Sequence, residues 1–298
     1  MSHFTVAVLT NEGDSHEDLL APYQENNMGD CPEEILEFQD ETEEIERQYQ
    51  TGTMPMIEGP DGKLYYTWDK KFRKSSYLWN NEYEYPEGYK KVTRPYSDFF
   101  ATIDVFADEY YGYTRNDDGQ FGYTTNPNAQ WDWYQVGGRW PGMLLLKKGA
   151  EGTKGEITLL ADQEFKDSAY KEVDGHMSVD SALLRDIDWE KMREVSLKQA
   201  ELSWEDAQLL LDPIKRNWRF GVMENETKEA FLERTASFYT FAVITPDGEW
   251  HEKGSMGWFG ASTETEEESK EWNQSFYDTF IKGLDQDNVT LTIVDCHI

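Results

Sequence analysis

The sequence predicts an α+β protein in which helices pack on a mixed β-sheet. Three observations favour this class. Residues 4–10, 239–245 and 289–294 are short apolar segments of the kind that form buried strands. The C-terminal fifth of the chain has the pattern strand, turn, strand, helix and strand. The chain also carries 11 Trp, 17 Tyr and 15 Phe, which supply the apolar surface that a packed core needs.

The three apolar segments define the predicted sheet. Residues 4–10 are apolar at both alternating positions, which is typical of a central strand. Residues 239–245 repeat the same order of residue types, from an aromatic residue to a final Thr. Residues 289–294 form the third apolar segment, close to the end of the sequence. We therefore expect strands from both ends of the chain to share one sheet, so that residues 1–298 form a single domain.

We interpret residues 11–95 as an acidic and aromatic insertion or subdomain. Residues 11–50 contain 14 acidic side chains and one basic side chain, Arg47. Pro32 suits the first turn of a helix, and the two glutamates that follow it suit the positive end of a helix dipole. The pattern predicts an acidic amphipathic helix near residues 32–48, docked through a narrow apolar stripe.

The C-terminal elements follow from turn and capping signals. Pro246 begins the Pro-Asp-Gly turn that predicts a hairpin, with His251 on the returning strand. Thr265 followed by Glu268 is the pattern of a capping box and predicts a helix start. Aromatic residues then recur at near-helical spacing, which predicts that this helix packs on the sheet before the last strand begins.

The net charge of -31 constrains the partners. Such a surface repels nucleic acid and anionic membranes and attracts basic proteins. No run of ~18 apolar residues and no signal peptide is present, so we expect a cytoplasmic protein without membrane contact or direct nucleic-acid contact. In many acidic proteins the charge serves solubility alone, and that interpretation stays open.

The sequence contains no established catalytic or cofactor motif. The only cysteines, Cys31 and Cys296, form neither a disulfide framework nor a four-thiolate zinc site. A phosphate-binding loop, a dinucleotide fingerprint and a nucleophile elbow are all missing. We therefore expect no cofactor, no metal and no catalytic residue, and we regard an enzyme as the less favoured class.

Residues 131–142 are the densest segment of the chain, with charged Asp132 and Arg139 among Trp and Tyr. We favour a clasp that closes the core, in which Asp132 pairs with Arg139 and Arg139 stacks on Trp140. The alternative is a pocket formed by Asp132, Gly137, Gly138, Arg139 and Trp140, in which Arg139 binds a phosphate or carboxylate with help from the glycine amides. On the clasp interpretation, Arg139→Ala destabilises the fold because it leaves Asp132 unpaired.

A second constellation supports the enzymatic alternative. Asp295 and His297 point to the same face of a strand because side chains alternate. If His251 lies on a neighbouring strand, two imidazoles and a carboxylate converge as an acid–base or metal site.

Four segments are distinctive, namely residues 126–140 with the run WDWYQVGGRW, residues 186–189, residues 248–260 and residues 294–297. In these segments the chain resembles an uncharacterised family that occurs in bacteriophage and bacterial genomes. The similarity runs from the first predicted strand to the last residue. It implies a phage context and brings no activity and no catalytic residue.

The leading functional hypothesis is a phage-encoded accessory protein with a DNA-mimic-like acidic surface. It binds and inhibits a host nucleic-acid-handling protein, such as a nuclease of an anti-phage defence system. The candidate contacts are the glutamates of the predicted acidic helix, Glu33, Glu34, Glu37, Glu41, Glu43 and Glu44. One alternative is an enzyme or small-ligand binder with a pocket around Asp132, Arg139 and His251. Another is a structural or assembly protein.

Overall fold

The computed structural model describes residues 2–29, 31–77, 80–155, 170–210, 219, 221–223, 225–256 and 262–298. Residues 257–260, part of one distinctive segment, lie outside the described residues. The chain separates into two compact units. We call Met1–Ile35 with Asn128–Ile298 the sheet unit, and Leu36–Pro127 the inserted unit. The bounds of the inserted unit differ from the 11–95 that we assigned to the insertion.

The described residues contain strands and helices in both units, which confirms the α+β class. The strands are β1 (His3–Thr10), β2 (Glu37–Asp40), β3 (Thr53–Glu58), β4 (Leu64–Tyr66), β5 (Arg73–Tyr77), β6 (Asn80–Tyr83), β7 (Lys90–Pro95), β8 (Thr114–Arg115), β9 (Phe121–Thr125), β10 (Trp133–Val136), β11 (Leu144–Leu145), β12 (Glu172–Val173), β13 (His176–Val179), β14 (Ser181–Leu183), β15 (Ala242–Ile244), β16 (Trp250–Glu252) and β17 (Thr290–His297). The α-helices are α1 (His16–Leu20), α2 (Thr42–Thr51), α3 (Ile103–Phe106), α4 (Trp189–Gln208), α5 (Lys228–Ala236) and α6 (Glu266–Phe276).

The main sheet belongs to the sheet unit and has the order β10-β17-β1-β15-β16, with β14 also paired to β17. β1 runs antiparallel to β17 along its whole length and parallel to β15. The prediction that segments near 4–10, 239–245 and 289–294 share one sheet is therefore confirmed.

Both faces of this sheet are buried, as the apolar alternation of β1 predicted. Ala7, Leu9 and Ile293 lie on the first face, where Phe276 of α6 packs. Neighbouring residues point to opposite faces, so the same strands also supply a second core of Phe4, Val6, Val8, Ala242, Ile244, Val294 and Cys296, covered by Leu20 and Trp131.

The predicted capping box at the start of α6 is confirmed. The Thr265 side chain accepts a hydrogen bond from the Glu268 backbone amide, and the Glu268 carboxylate accepts one from the Thr265 amide. This exchange satisfies two of the amides that a helix start leaves unpaired.

The inserted unit consists of small sheets and an aromatic core. β3 lies between β4 and β7, β9 lies between β2 and β8, and β5 pairs with β6. The core joins Ile45 of α2 to aromatic and methionine side chains, namely Met54, Met56, Tyr96, Phe100, Phe106 and Phe121.

The acidic segment near residues 32–48 is not one helix, so that prediction was wrong in its extent. Glu33–Ile35 forms a single 3₁₀ turn, and β2 pairs with β9. The helix α2 begins only at Thr42, whose amide donates to the Asp40 carboxylate. Pairing with β9 satisfies backbone groups that a helix through this segment needed for itself.

Candidate functional site

The Gly137-Gly138 pair turns the chain at the end of β10. Gly137 has φ +75° and Gly138 has φ +49°, which is the left-handed region that glycine favours. A Cβ atom on Gly137 would lie 2.5 Å from Asp180 Oδ2, and one on Gly138 would lie 2.3 Å from the Asp295 Cβ. Both positions therefore require glycine, because the backbone passes against two buried aspartates.

Asp295 fixes this turn to the last strand. Its carboxylate is completely buried and accepts a 2.9 Å hydrogen bond from the Arg139 backbone amide. His3 Nδ1 lies 2.9 Å from the other carboxylate oxygen. A buried carboxylate is stable only with such partners, so Asp295 anchors the loop and the first strand together.

Asp180 lies between β13 and β14, beside Ile293 of β17, and has a similar role. It is completely buried and accepts hydrogen bonds from the amides of Gly142, at 2.6 Å, and Gly155, at 2.8 Å, and from the Tyr170 hydroxyl. Burial, followed by the bond to Asp180, raises the pKa of Tyr170 well above its ordinary value. The phenol is thus held neutral as a donor at this second anchor.

The predicted ion pair between Asp132 and Arg139 was wrong. Asp132 Oδ1 lies 2.6 Å from His297 Nδ1, and the Trp133 ring stacks on that imidazole at 5.1 Å between centroids. The reason is register, since Trp133 pairs with His297 and thereby brings the preceding aspartate to the imidazole. The Arg139 side chain is exposed beyond the glycine turn. A clasp does form, but His297 takes the part that we assigned to Arg139.

The second predicted constellation is only partly assembled. Asp295 and His297 share one sheet face, as predicted, and His3 pairs with His297 with ring centroids 4.9 Å apart. His251 lies on β16, three strands away from β17, or about 14 Å at the usual strand spacing. It faces Glu249 and Phe280 instead.

His3, His297 and Asp295 form one cluster, which we call the Asp–His cluster. The sequence analysis missed His3, because only the antiparallel pairing of β1 with β17 brings it next to His297. The side chains of His3 and His297 are only 7% and 6% exposed, and Asp295 is fully buried. Such groups offer a substrate little access. Burial, together with the nearby Asp295 charge, also raises the pKa of the Cys296 thiol well above its ordinary range, so it is a poor nucleophile. Across the ranges that the structure covers, no set of three His, Cys, Asp or Glu side chains is arranged to hold a metal.

The six predicted partner contacts divide between the two units. Glu33 and Glu34 belong to the sheet unit, whereas the other four, Glu37, Glu41, Glu43 and Glu44, belong to the inserted unit. Glu37 and Glu43 are exposed, and Glu41 and Glu44 are half-buried. The Arg47 guanidinium donates to Glu44 at 2.8 Å and, with Gln48, lowers the pKa of that carboxyl.

A row of stacked tyrosines accompanies the glutamates of the inserted unit. The ring centroids of Tyr111 and Tyr113 are 5.6 Å apart, and those of Tyr113 and Tyr123 are 5.3 Å apart. Burial raises the pKa of Tyr111 and Tyr113, and the neighbouring phenols and the Glu41 carboxylate raise it further. Glu41 is close enough to both rings, and Glu44 to Tyr111, to contribute to these shifts. We call this surface the acidic–tyrosine face, made of Glu37, Asp40, Glu41, Glu43, Glu44, Tyr111, Tyr113 and Tyr123.

The tyrosines of this face were not among the predicted contacts. Tyr123 keeps 43% of its surface exposed, as does Tyr110 nearby in sequence to Tyr111. The close spacing of three tyrosines at positions 110, 111 and 113 was the available signal. The pairing of β9 with β2, which joins Tyr123 to the acidic segment, was not visible in the local sequence.

No family model, no curated protein and no solved structure matches this chain. Within the described parts of the chain, every helix is too short or too polar to cross a bilayer.

Proposed function

We propose that this chain is a non-enzymatic binding protein that occupies the basic groove of a nucleic-acid-handling protein, as a mimic of DNA. The observation that supports this most is the acidic–tyrosine face. There the carboxylates of β2 and α2 lie in the same unit as a row of stacked phenol rings.

The chemistry of this face suits arginine-rich partners. Carboxylates accept paired hydrogen bonds from a guanidinium, as phosphates do. Tyrosine rings also attract a guanidinium through its planar cationic face. Carboxylates thus replace the backbone phosphates of DNA, and the tyrosine row replaces its stacked bases.

The net charge acts at longer range. A charge of -31 steers a basic partner toward the protein and accelerates association at low salt. In the phage context that the resemblance implies, the partner is a host protein in the cytoplasm, and we propose a nuclease of an anti-phage defence system. The Asp–His cluster has a structural role in this proposal, because its members are buried and paired.

Competition with DNA tests this proposal. Proteins from the host would be captured on the immobilised chain, and the captured protein would be purified. Fluorescence anisotropy would then follow a labelled DNA duplex bound to that protein as the chain is added. We expect the chain to displace the duplex and to stop cleavage of DNA. A ternary complex of chain, captured protein and duplex would rule out occupation of the groove.

A further inference from the structure

The inserted unit carries the aromatic side chains that stay exposed. In the part of the chain that the structure describes, the most exposed aromatic residues are Phe38, Trp68, Tyr110 and Tyr123, and all four belong to this unit. The described aromatic residues of the sheet unit are buried or half-buried. Folding normally covers large rings, so rings that stay uncovered in one unit indicate a contact surface.

The exposed rings continue the tyrosine row of the acidic–tyrosine face. Tyr110 lies next to Tyr111, with ring centroids 5.0 Å apart. Burial raises the pKa of Tyr66, and Glu109 and Tyr110 are close enough to raise it further. Trp68 then stacks on Tyr66, with centroids 4.8 Å apart and planes 18° from parallel. We call this set the aromatic ridge, made of Tyr66, Trp68, Tyr110, Tyr111, Tyr113 and Tyr123.

The core of the inserted unit holds the ridge from behind. Tyr66 packs against Phe99 at 4.8 Å between centroids, and Tyr110 stacks on the buried Phe106 at 5.5 Å. Tyr66 covers one face of the Trp68 ring, while 53% of Trp68 stays exposed. Because these rings are already positioned, a group that stacks on them does not have to order them first.

The charge around the ridge determines which group can stack there. Glu109 lies close to Tyr66, and Glu41 lies close to Tyr111 and Tyr113. Carboxylates repel phosphates and attract cations. The guanidinium of arginine is planar and weakly hydrated and stacks on aromatic rings, whereas the ammonium of lysine is compact and strongly hydrated. The ridge therefore matches arginine better than it matches lysine or a nucleotide.

We propose that the aromatic ridge binds arginine side chains of the partner protein by stacking and selects them over lysine. The carboxylates attract the partner and increase the association rate, and the rings hold the guanidinium groups and slow dissociation. This inference rests on the proposed function, because it assigns separate roles to the rings and the carboxylates of one contact surface.

Oligoarginine and oligolysine peptides of equal length and equal charge test this selection without the host partner. Their long-range attraction to the chain is the same, so a difference in affinity reports the contact itself. Fluorescence anisotropy of each labelled peptide with the full chain, in about 0.15 M salt, measures both affinities. We expect oligoarginine to bind at least about tenfold more tightly.

Removal of the exposed rings shows whether the ridge causes this preference. Trp68→Leu combined with Tyr123→Leu keeps apolar side chains and removes two exposed rings, so we expect oligoarginine to lose most of its advantage and oligolysine to bind as before. The control combines Leu202→Ala and Leu209→Ala, two exposed leucines of the sheet unit, and should keep the full preference. A ring variant that also keeps the full preference would overturn the proposal, because the carboxylates alone would then select arginine.

This result is separable from the DNA competition that tests the proposed function. If the unaltered chain binds both peptides equally but still displaces DNA from the host protein, the ridge proposal is refuted and the proposed function stands. If it prefers oligoarginine through the ridge but displaces no DNA, the selection of arginine stands and occupation of the groove is refuted.

Discussion

At the scale of single residues, two buried aspartates determine how the Trp-rich segment leaves the sheet. Gly137 donates its amide to the Ile293 carbonyl, and Ile293 donates its own amide to the Asp180 carbonyl. The turn after β10 and the entry to β14 thus meet at one residue of β17. The carboxylates of Asp180 and Asp295 then bind the amides of the loops on either side. The arrangement tolerates no side chain at the glycine pair.

Gly138→Ala should be markedly more destabilising than a substitution at another left-handed glycine. The new methyl group meets both an unfavourable φ and the buried Asp295, so we expect a loss of about 3 kcal/mol in the free energy of unfolding. Gly149 has φ +80° with nothing within 4 Å of its Cβ position, and Gly149→Ala should cost only about 1 kcal/mol. Urea denaturation of both variants measures the difference. Equal losses in the free energy of unfolding would show that the close approach to Asp295 does not contribute to the destabilisation.

Truncation should destabilise the protein strongly at Asp295 and hardly at all at Arg139. Asp295→Ala leaves the buried His3 ring and the Arg139 amide without their acceptor, so we expect a loss of about 3 kcal/mol. Arg139→Ala removes an exposed side chain and keeps that amide, so the change should stay within about 0.5 kcal/mol. Denaturant midpoints of the two variants provide the test. Strong destabilisation by Arg139→Ala would contradict this expectation and would support an ion pair between Arg139 and Asp132.

At the scale of elements, local sequence patterns correctly predicted those elements that depend mainly on their own residues. Val6 and Val8 are buried on one face of β1 and Ala7 on the other, as the continuous apolar run predicts. The start of α6 follows from Thr265 and Glu268 alone.

Elements that depend on distant partners were not predictable in this way. Residues 37–40 were predicted to lie within the acidic helix, but they form β2, which pairs with residues more than 80 positions away. The partner of Asp132 was missed for the same reason, because His297 lies 165 positions further along the chain.

Removing the cap of α6 tests an element that the sequence did predict. Thr265→Ala deletes the oxygen that accepts the Glu268 amide, so we expect a loss of about 1 kcal/mol in stability. Ser275 lies within the same helix, where its hydroxyl donates to the Glu271 carbonyl, so Ser275→Ala should be close to neutral. Thermal unfolding of both variants measures the contrast. A neutral Thr265→Ala would mean that tertiary packing alone positions the helix.

At the scale of the whole molecule, buried phenols make stability depend on alkaline pH. Burial, with the hydrogen bond to Tyr110, raises the pKa of Tyr96 to about 12. Tyr170 is shifted in the same direction. Below the ordinary tyrosine pKa of about 10, folded and unfolded states both keep these protons, so stability is unaffected. Between about 10 and about 12, only the unfolded state releases them, so stability falls as pH rises.

We therefore expect lower urea midpoints at pH about 11 than at about 9, and a tyrosine absorbance titration with a late phase near pH 12. The measurement also distinguishes burial from charge repulsion, because added salt screens repulsion between surface groups but leaves desolvation of the phenols unchanged. A titration in which all phenols ionise together near pH 10 would contradict the buried environment of Tyr96 and Tyr170.

If the acidic–tyrosine face binds a basic protein, as we propose, reversing charges on that face should weaken binding more than reversing as many charges elsewhere. One variant carries Glu37→Lys, Glu41→Lys and Glu43→Lys, all members of the acidic–tyrosine face on β2 and at the start of α2. The control carries Glu201→Lys, Glu205→Lys and Asp206→Lys, all exposed on α4. Both variants change the net charge equally, so they weaken long-range steering equally.

The measurement is the affinity of each variant for the purified host partner, from about 0.05 to about 0.5 M salt. We expect the β2–α2 variant to lose at least about a hundredfold in affinity at low salt, because each reversal replaces an attraction by a repulsion at the contact. The α4 variant should only associate somewhat more slowly. Equal affinities for the two variants at every salt concentration would contradict the claim, because the charge would then act only through the overall field of the molecule.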